Sequence, residues 1–248
     1  IRAEAEVALS KARTNDELRE SIHSLLEEVE RLGRTADQLL LLARADAGAL
    51  QARGEPVDLA DLVEETVDRW RTLASPRGVE ISFEAPESGV ATGDADLLRR
   101  LLDNLIDNAI RHSPAGGVVD VSLTQSAVAW LLTVADSGPG VDPALRGSIF
   151  ERFTRGDAAR QRETGGAGLG LALCAAIAQS HGGSIQVGAS NNGGAMFTVE
   201  LPRDGTPSST PSAEAASTDF SSTSGESEKL LTKGQAKKSW RKISRRSQ

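Results

Sequence analysis

The sequence predicts an α+β protein: a helical hairpin, then a mostly antiparallel sheet covered on one face by helices. Three observations carry this. An apolar repeat with alternating steps of four and three runs unbroken from Leu18 to Ala43, the spacing of a bundle or coiled-coil helix. Five short segments read as strands, Val79–Glu84, Val118–Leu123, Ala129–Ala135, Ser184–Ala189 and Ala195–Leu201, rich in β-branched and aliphatic residues and bounded by turn residues. Amphipathic helices fall between them.

In chain order, residues 1–11 look like the last turns of a helix, and 12–14 like a short connection. The strongest helix follows, from Thr14 to Ala47. Thr14 with Glu17 is a capping-box pair, and Leu18, Ile22, Leu25, Val29, Leu32, Ala36, Leu39 and Ala43 make an eight-layer seam. A hairpin alone cannot bury such a seam, so a homodimeric four-helix bundle is expected. His23 lies beside the seam, where a solvated or packed residue is the simpler reading. Gly48–Pro56 is Gly-rich and aperiodic, hence a connection. Asp58–Ala74 is a helix with Leu59, Leu62, Val63, Val67 and Trp70 inward. Another helix runs from about Asp94, with Leu98, Leu101, Leu102, Leu105, Ile106, Ala109 and Ile110 on one face. The second and third strands join through a turn at Gln125 and Ser126; Ala172–Ser180 is a helix; the last two strands join through Asn-Asn-Gly-Gly at 191–194. Beyond Arg203 the chain is rich in Ser, Thr and Pro and is expected to be disordered. The domains expected are therefore 1–47, a connection at 48–57, 58–202, and a tail at 203–248.

Totals narrow the class. The 248 residues carry a net charge of −7, but from Lys229 onward there are eight Lys or Arg and no acid, leaving −15 on the rest. Such an acidic body argues against nucleic-acid binding. The basic end could touch anionic lipid or nucleic acid, though a solvated tail is the simpler reading. A single Cys174 excludes an internal disulfide and fits a reducing compartment. No apolar run is long enough to span a bilayer. The first residue is not Met, so residues are expected upstream.

The chemistry-bearing residues sit on one helix and two loops. Asn104, Asn108 and Arg111 are spaced i, i+4, i+7, one row beside the apolar face. Asn is a poor choice for helix propensity, but its carbonyl oxygen suits a hard cation, and Arg111 with His112 offers donors to phosphate. The bland alternative is a polar face. At the end of the third strand comes Asp136-Ser-Gly138-Pro-Gly140. The glycines permit close backbone approach, and a carboxylate at Asp136 accepts from an exocyclic amine, which adenine has and guanine lacks at that position. Residues 165–170, Gly-Gly-Ala-Gly-Leu-Gly, open a helix at Leu171 whose amide groups can cradle phosphates. They are neither a P-loop nor a dinucleotide fingerprint. Between them, residues 154–164 hold Arg155, Arg160 and Arg162 and read as a charged lid, with Phe150 and Phe153 anchoring its start in the core.

Together, the Asn-rich helix, Asp-Ser-Gly-Pro-Gly-Val, Ile-Phe-Glu-Arg-Phe (149–153) and Gly-Gly-Ala-Gly-Leu-Gly, in this order, closely resemble the ATP-binding domain of sensor histidine kinases over residues 58–202, and the preceding helices resemble the second half of that family's dimerisation and phosphotransfer hairpin. The resemblance implies a two-layer α/β sandwich with a mixed sheet. It implies that Asn104 and Asn108 hold Mg²⁺ on ATP and act in catalysis, and that Arg111, His112 and Arg155 face the phosphates. Asp136 would bind adenine beside Gly138 and Gly140, and Gly166, Gly168 and Gly170 would line the phosphates. It implies a homodimer and a response-regulator receiver domain as partners, no nucleic acid, and a cytoplasmic portion of a membrane-anchored protein. The family's phospho-accepting His lies in a His-Glu-Leu-Arg-Thr-Pro-like stretch on the first bundle helix. None of His23, His112 or His181 has that setting, so the acceptor is expected upstream of Ile1. The alternatives are an ATP-binding partner that does not phosphorylate itself, or an ATPase or serine kinase of the same fold; the hydrolases of that group place a Glu where Asn104 stands.

Overall fold

The computed structural model describes residues 14–154 and 167–203. The expected helix at 1–11, Arg155, Arg160, Arg162, Gly165, Gly166 and the tail from 204 lie outside the described residues.

Helix α1 spans Asn15–Asp46. Its capping box forms in full: Thr14 N–H donates to Glu17 Oε2 at 3.0 Å and Glu17 N–H to Thr14 Oγ1 at 3.3 Å. Strand β1, Glu55–Asp58, follows, then α2, Leu59–Ala74, and a 3₁₀ turn at Ser75–Arg77. Asp58 caps α2 by accepting from Ala60 N–H at 3.0 Å. Next come β2 (Glu80–Glu84), β3 (Val90–Gly93) and α3 (Ala95–His112), capped by Asp94 through the amides of Asp96 and Leu97 at 3.1 and 3.2 Å. Strands β4 (Val118–Gln125) and β5 (Ala129–Ala135), helix α4 (Gly170–Ser180), β6 (Ser184–Ala189) and β7 (Ala195–Pro202) complete the order.

Among the described residues the main sheet has the order β2-β4-β5-β7-β6, with β2 and β4 parallel and the other pairs antiparallel. Helices α2, α3 and α4 pack on the face that carries Val119, Val121, Leu132, Val134, Phe197 and Val199, all at most 3% exposed. Across the other face runs a polar row in register, Ser122, Thr133, Thr198 and Gln186. One buried face and one half-solvated face are what the alternation in these strands encodes. The helices and sheet thus form the two-layer sandwich with a mixed sheet.

Three details depart from the sequence reading. Residues 55–57, expected in the connection, belong to β1, which pairs antiparallel with the unanticipated β3 in a separate two-stranded sheet. Both strands are four residues long and β1 contains Pro56; a proline is tolerated at such an edge, and four residues give no periodicity to read. Helix α4 begins at Gly170, two residues before the expected Ala172. Phe150 does anchor in the core, edge-on to Phe197 with ring centroids 6.3 Å apart, but Phe153 is 66% exposed. Its backbone turns left-handed, φ 63°, as its N–H donates to Gly168 O at 2.9 Å. That backbone bond, not burial of the ring, holds Phe153 in place.

Candidate nucleotide site

Helix α3 sets the site. Leu101, Leu105, Ile106 and Ala109 are fully buried, so the helix cannot rotate, and the row Asn104, Asn108 and Arg111 is held at the edge of the buried stripe. Both asparagines are half-buried, while Arg111 and His112 are exposed in the last turn. Arg111 Nε pairs with Asp107 at 2.7 Å. Asn104 is held tightly: its Nδ2 donates to Arg100 O at 2.6 Å, which turns Oδ1 away from its own helix.

That oxygen faces the start of α4. A Cβ on Gly170 would sit 2.8 Å from Asn104 Oδ1, so a side chain there would displace this oxygen from its place against α4. Leu169 at the N-cap supplies no side-chain cap to α4. The first amides of an α-helix lack intrahelical partners, and here no side chain among the described residues takes them. Gly168 has φ 72°, and a Cβ there would press within 3.0 Å of the Phe153 backbone. Gly168 thus packs against the backbone of Phe153 and Thr154.

Asp136, at the end of β5, is 2% exposed. Its Oδ1 accepts from Gly138 N–H at 2.8 Å and from Ala195 N–H at 3.1 Å. The carboxylate is thus fixed by backbone, with Oδ2 left for another partner. Gly138 serves a packing role: a Cβ there would lie 2.7 Å from His112 O, so the loop seats on the end of α3. Gly140 has φ 73°, which a side chain would resist.

The structure brings Asn104, Gly168 and Gly170 together at the α3–α4 junction, and Asp136, Gly138, Gly140 and His112 at the β5 end. It adds two groups the sequence did not mark. Ala195 contributes only its amide, which no side-chain pattern signals. Gln38 of α1 donates from Nε2 to Asn104 Oδ1 at 3.1 Å, and Arg152 reaches Asp46 and Leu42 O on the same helix. Gln38, Leu42 and Asp46 are one turn apart each, a face of α1 distinct from the heptad seam.

At the far end of α3, His181 is buried. Its Nδ1–H donates to Ile177 O at 2.8 Å and Nε2 accepts from Asp94 N–H at 3.0 Å, which fixes the neutral tautomer. Burial pushes its pKa below the usual histidine value, against the raising influence of the Ile177 bond and of the Asp94 charge. Burial also opposes the charge of Asp94, but the amides of Leu97, Arg53 and Asp96 and the Arg53 guanidinium outweigh it and hold its carboxyl below the usual range. Cys174 is fully buried, which raises its thiol pKa far above neutrality and makes it inert.

Residues 93–205 match the family described as histidine kinase-, DNA gyrase B- and HSP90-like ATPase. A mycobacterial sensor histidine kinase, MprB, is 33% identical in solved structure, with 60% of this chain and 99% of that one covered and a TM-score of 0.55. The chain belongs to the histidine kinase family. It carries that family's nucleotide-binding domain. The full-length ShkA structure in complex with AMPPNP matches 80% of this chain and 42% of its own, at 29% identity and a TM-score of 0.66. The signal transduction histidine-protein kinase BaeS of Escherichia coli is 40% identical over 74% of this chain. The chain spans 39% of BaeS, under half of that relative. Among the described residues no helix is long and apolar enough to cross a membrane.

Proposed function

We propose that the chain is the ATP-binding kinase portion of a sensor histidine kinase: it binds Mg²⁺-ATP and directs the γ-phosphoryl to a histidine nitrogen with release of ADP, and the phosphohistidine then serves an aspartate of a response-regulator receiver domain. The catalytic domain is residues 58–202, extended by β1 back to Glu55; residues 1–47 form the dimerising helices and 203–248 a tail. The observation that carries the reading is the apposition of Asn104 Oδ1 with Gly170 at the start of α4, a helix N-terminus that no side chain among the described residues caps. An amide oxygen for a hard cation and free helix amides for an anion meet there.

The residues fit the nucleotide. ATP with its magnesium supplies the phosphoryl group and much of the charge neutralisation. Asn104 and Asn108 offer amide oxygens to the cation; among the described residues no cluster of three His, Cys, Asp or Glu could hold a metal without the nucleotide. Arg111 and His112 face the phosphates from the end of α3, and Gly168 and Gly170 expose the α4 amides to them. Arg155 and Gly166 are assigned the same task from their sequence motifs. Asp136 Oδ2 accepts from the adenine amine. Phosphoryl transfer asks mainly for positioning and charge stabilisation, and an Asn at 104 supplies no carboxylate base to activate water. The exposed seam of α1 pairs with a second copy as the dimer interface. Membrane anchoring belongs to the whole protein's proposed architecture.

Calorimetry with Mg-ATP tests the core of this. Asn108→Ala is expected to abolish measurable binding, and unchanged affinity would refute the metal role. Incubation with labelled ATP and a family kinase that carries the acceptor His but a dead ATP site is expected to label that partner. Binding without transfer would instead favour a silent partner, and phosphate release would favour an ATPase.

A further inference from the structure

The turn between β6 and β7 holds two adjacent glycines that do different things. Gly193 has φ 89°, with nothing within 4 Å of an added Cβ; it is the residue the turn itself requires. Gly194 is not in the left-handed region, so the turn gives no conformational reason for glycine there. The reason is Asp136. A Cβ on Gly194 would sit 2.6 Å from the Asp136 carbonyl carbon and closer still to both its O and Oδ1. These are backbone atoms and a clamped carboxylate oxygen, which have no room to yield.

The crossing has a purpose. Residue 194 must lie over Asp136 for the next amide, Ala195 N–H, to reach Oδ1 at 3.1 Å. Asp136 N–H in turn donates to Ala195 O at 2.8 Å, so the two residues lock at the end of the β5–β7 ladder. With Gly138 N–H on the same oxygen at 2.8 Å, Oδ1 is occupied and the side chain has one orientation. The turn is tied down independently: Ser190 N–H donates to Gly194 O at 2.8 Å, and Asn192 Nδ2 donates to Asp120 on β4.

We propose that Gly194 is a positioning residue for base selection: by passing over Asp136 without a side chain it lets the Ala195 amide fix the carboxylate, and so sets the preference for adenine over guanine. The inference rests on the reading of Asp136 as the adenine-binding residue. Gly194→Ala displaces the carboxylate or the Ala195 amide, and a carboxylate that loses an aligned backbone donor loses its directional preference.

The test uses the full chain, with Mg-ATP and Mg-GTP binding by calorimetry and thermal melting on Gly194→Ala, Gly193→Ala and Asp136→Asn. Gly194→Ala is expected to lose the preference for ATP by about ten-fold or more, while Gly193→Ala, strained but clear of Asp136, lowers the melting temperature and keeps the preference. If Asp136→Asn loses the preference but folded Gly194→Ala keeps it, the positioning role is overturned and the reading of Asp136 stands. If Asp136→Asn keeps the preference, both fall. Should Gly194→Ala fail to fold, wild-type amide resonances decide. Those of Ala195 and Gly138 are expected to shift more with Mg-ATP than with Mg-GTP, and equal shifts overturn the proposal.

Discussion

Helices α1 and α3 are both amphipathic, and the longer, more regular one is the less buried. Along α1, Leu18, Ile22, Val29, Leu32 and Leu39 are 42–53% exposed. Along α3, the eight apolar residues from Leu97 to Ile110 are at most 8% exposed. Only Leu42 of α1 is buried, and it lies off the seam, on the face that meets the nucleotide-binding domain. The lesson is that a repeat shows that a face seeks burial but not what buries it. The stripe on α3 finds its partner within the chain, in a sheet and two further helices. The seam on α1 is the surface proposed for a second copy.

The largest effect should come from α3. Leu105→Ala removes a fully buried side chain and is expected to cost ~2–5 kcal/mol in urea unfolding. In the dilute single chain, Leu32→Ala should cost under ~1 kcal/mol, because its side chain already meets water. A Leu32→Ala cost equal to that of Leu105→Ala at low concentration would break the contrast. A cost that grows with protein concentration would sharpen it, since mass action then couples the seam to a partner copy.

Leu42→Ala should have an intermediate effect, lowering amide-exchange protection in the last turns of α1 while leaving that of α3 intact. Equal loss in both helices would mean that α1 and the domain unfold as one unit.

Acid should act on the domain first where His181, just past the end of α4, meets Asp94 at the start of α3. His181 has a lowered folded pKa, so below about 6.5, its unfolded value, the unfolded chain takes up a proton that the folded chain resists. Stability is therefore full above that pH and falls as pH drops through it. Asp94, also lowered, adds a second loss as pH falls through and below the usual carboxylate range. A His181→Gln variant should show a flatter melting temperature between pH 7 and 5; an unchanged slope would locate the sensitivity elsewhere.

The smallest effect concerns the contact between the two regions. Gln38→Ala frees Asn104 Oδ1 from a neutral hydrogen bond worth ~0.5–1.5 kcal/mol, so Mg-ATP binding should tighten by about two- to ten-fold. Weaker binding would mean that Gln38 supports Asn104 in the bound state.

The parts legible in sequence were those with local cause. The capping box at Thr14, the apolar stripe of α3 and the strand alternation each follow from side-chain spacing, and all appear where expected. The motif order led to the family because four loops and helix faces recur in a fixed sequence. The strands β1 and β3 were not legible, since four residues around Pro56 carry no period. Phe153 was misjudged because an aromatic residue suggests burial, whereas its position obeys a backbone bond to Gly168. Gly194 falls within the Asn-Asn-Gly-Gly turn that the sequence predicts, and nothing in the sequence singles out Gln38.

By itself the sequence determined the long helices and the five strands of the main sheet, which faces are apolar and which motif residues stand in one row, because spacing along a helix or strand is fixed by backbone geometry alone. Tertiary structure alone decided that Gly170 leaves room for Asn104, that the Ala195 amide clamps Asp136, and that α1 meets the domain through Gln38 rather than through its seam. Those outcomes depend on atoms far apart in the chain coming within hydrogen-bonding or van der Waals distance, and backbone amides in particular leave no trace in the order of side chains.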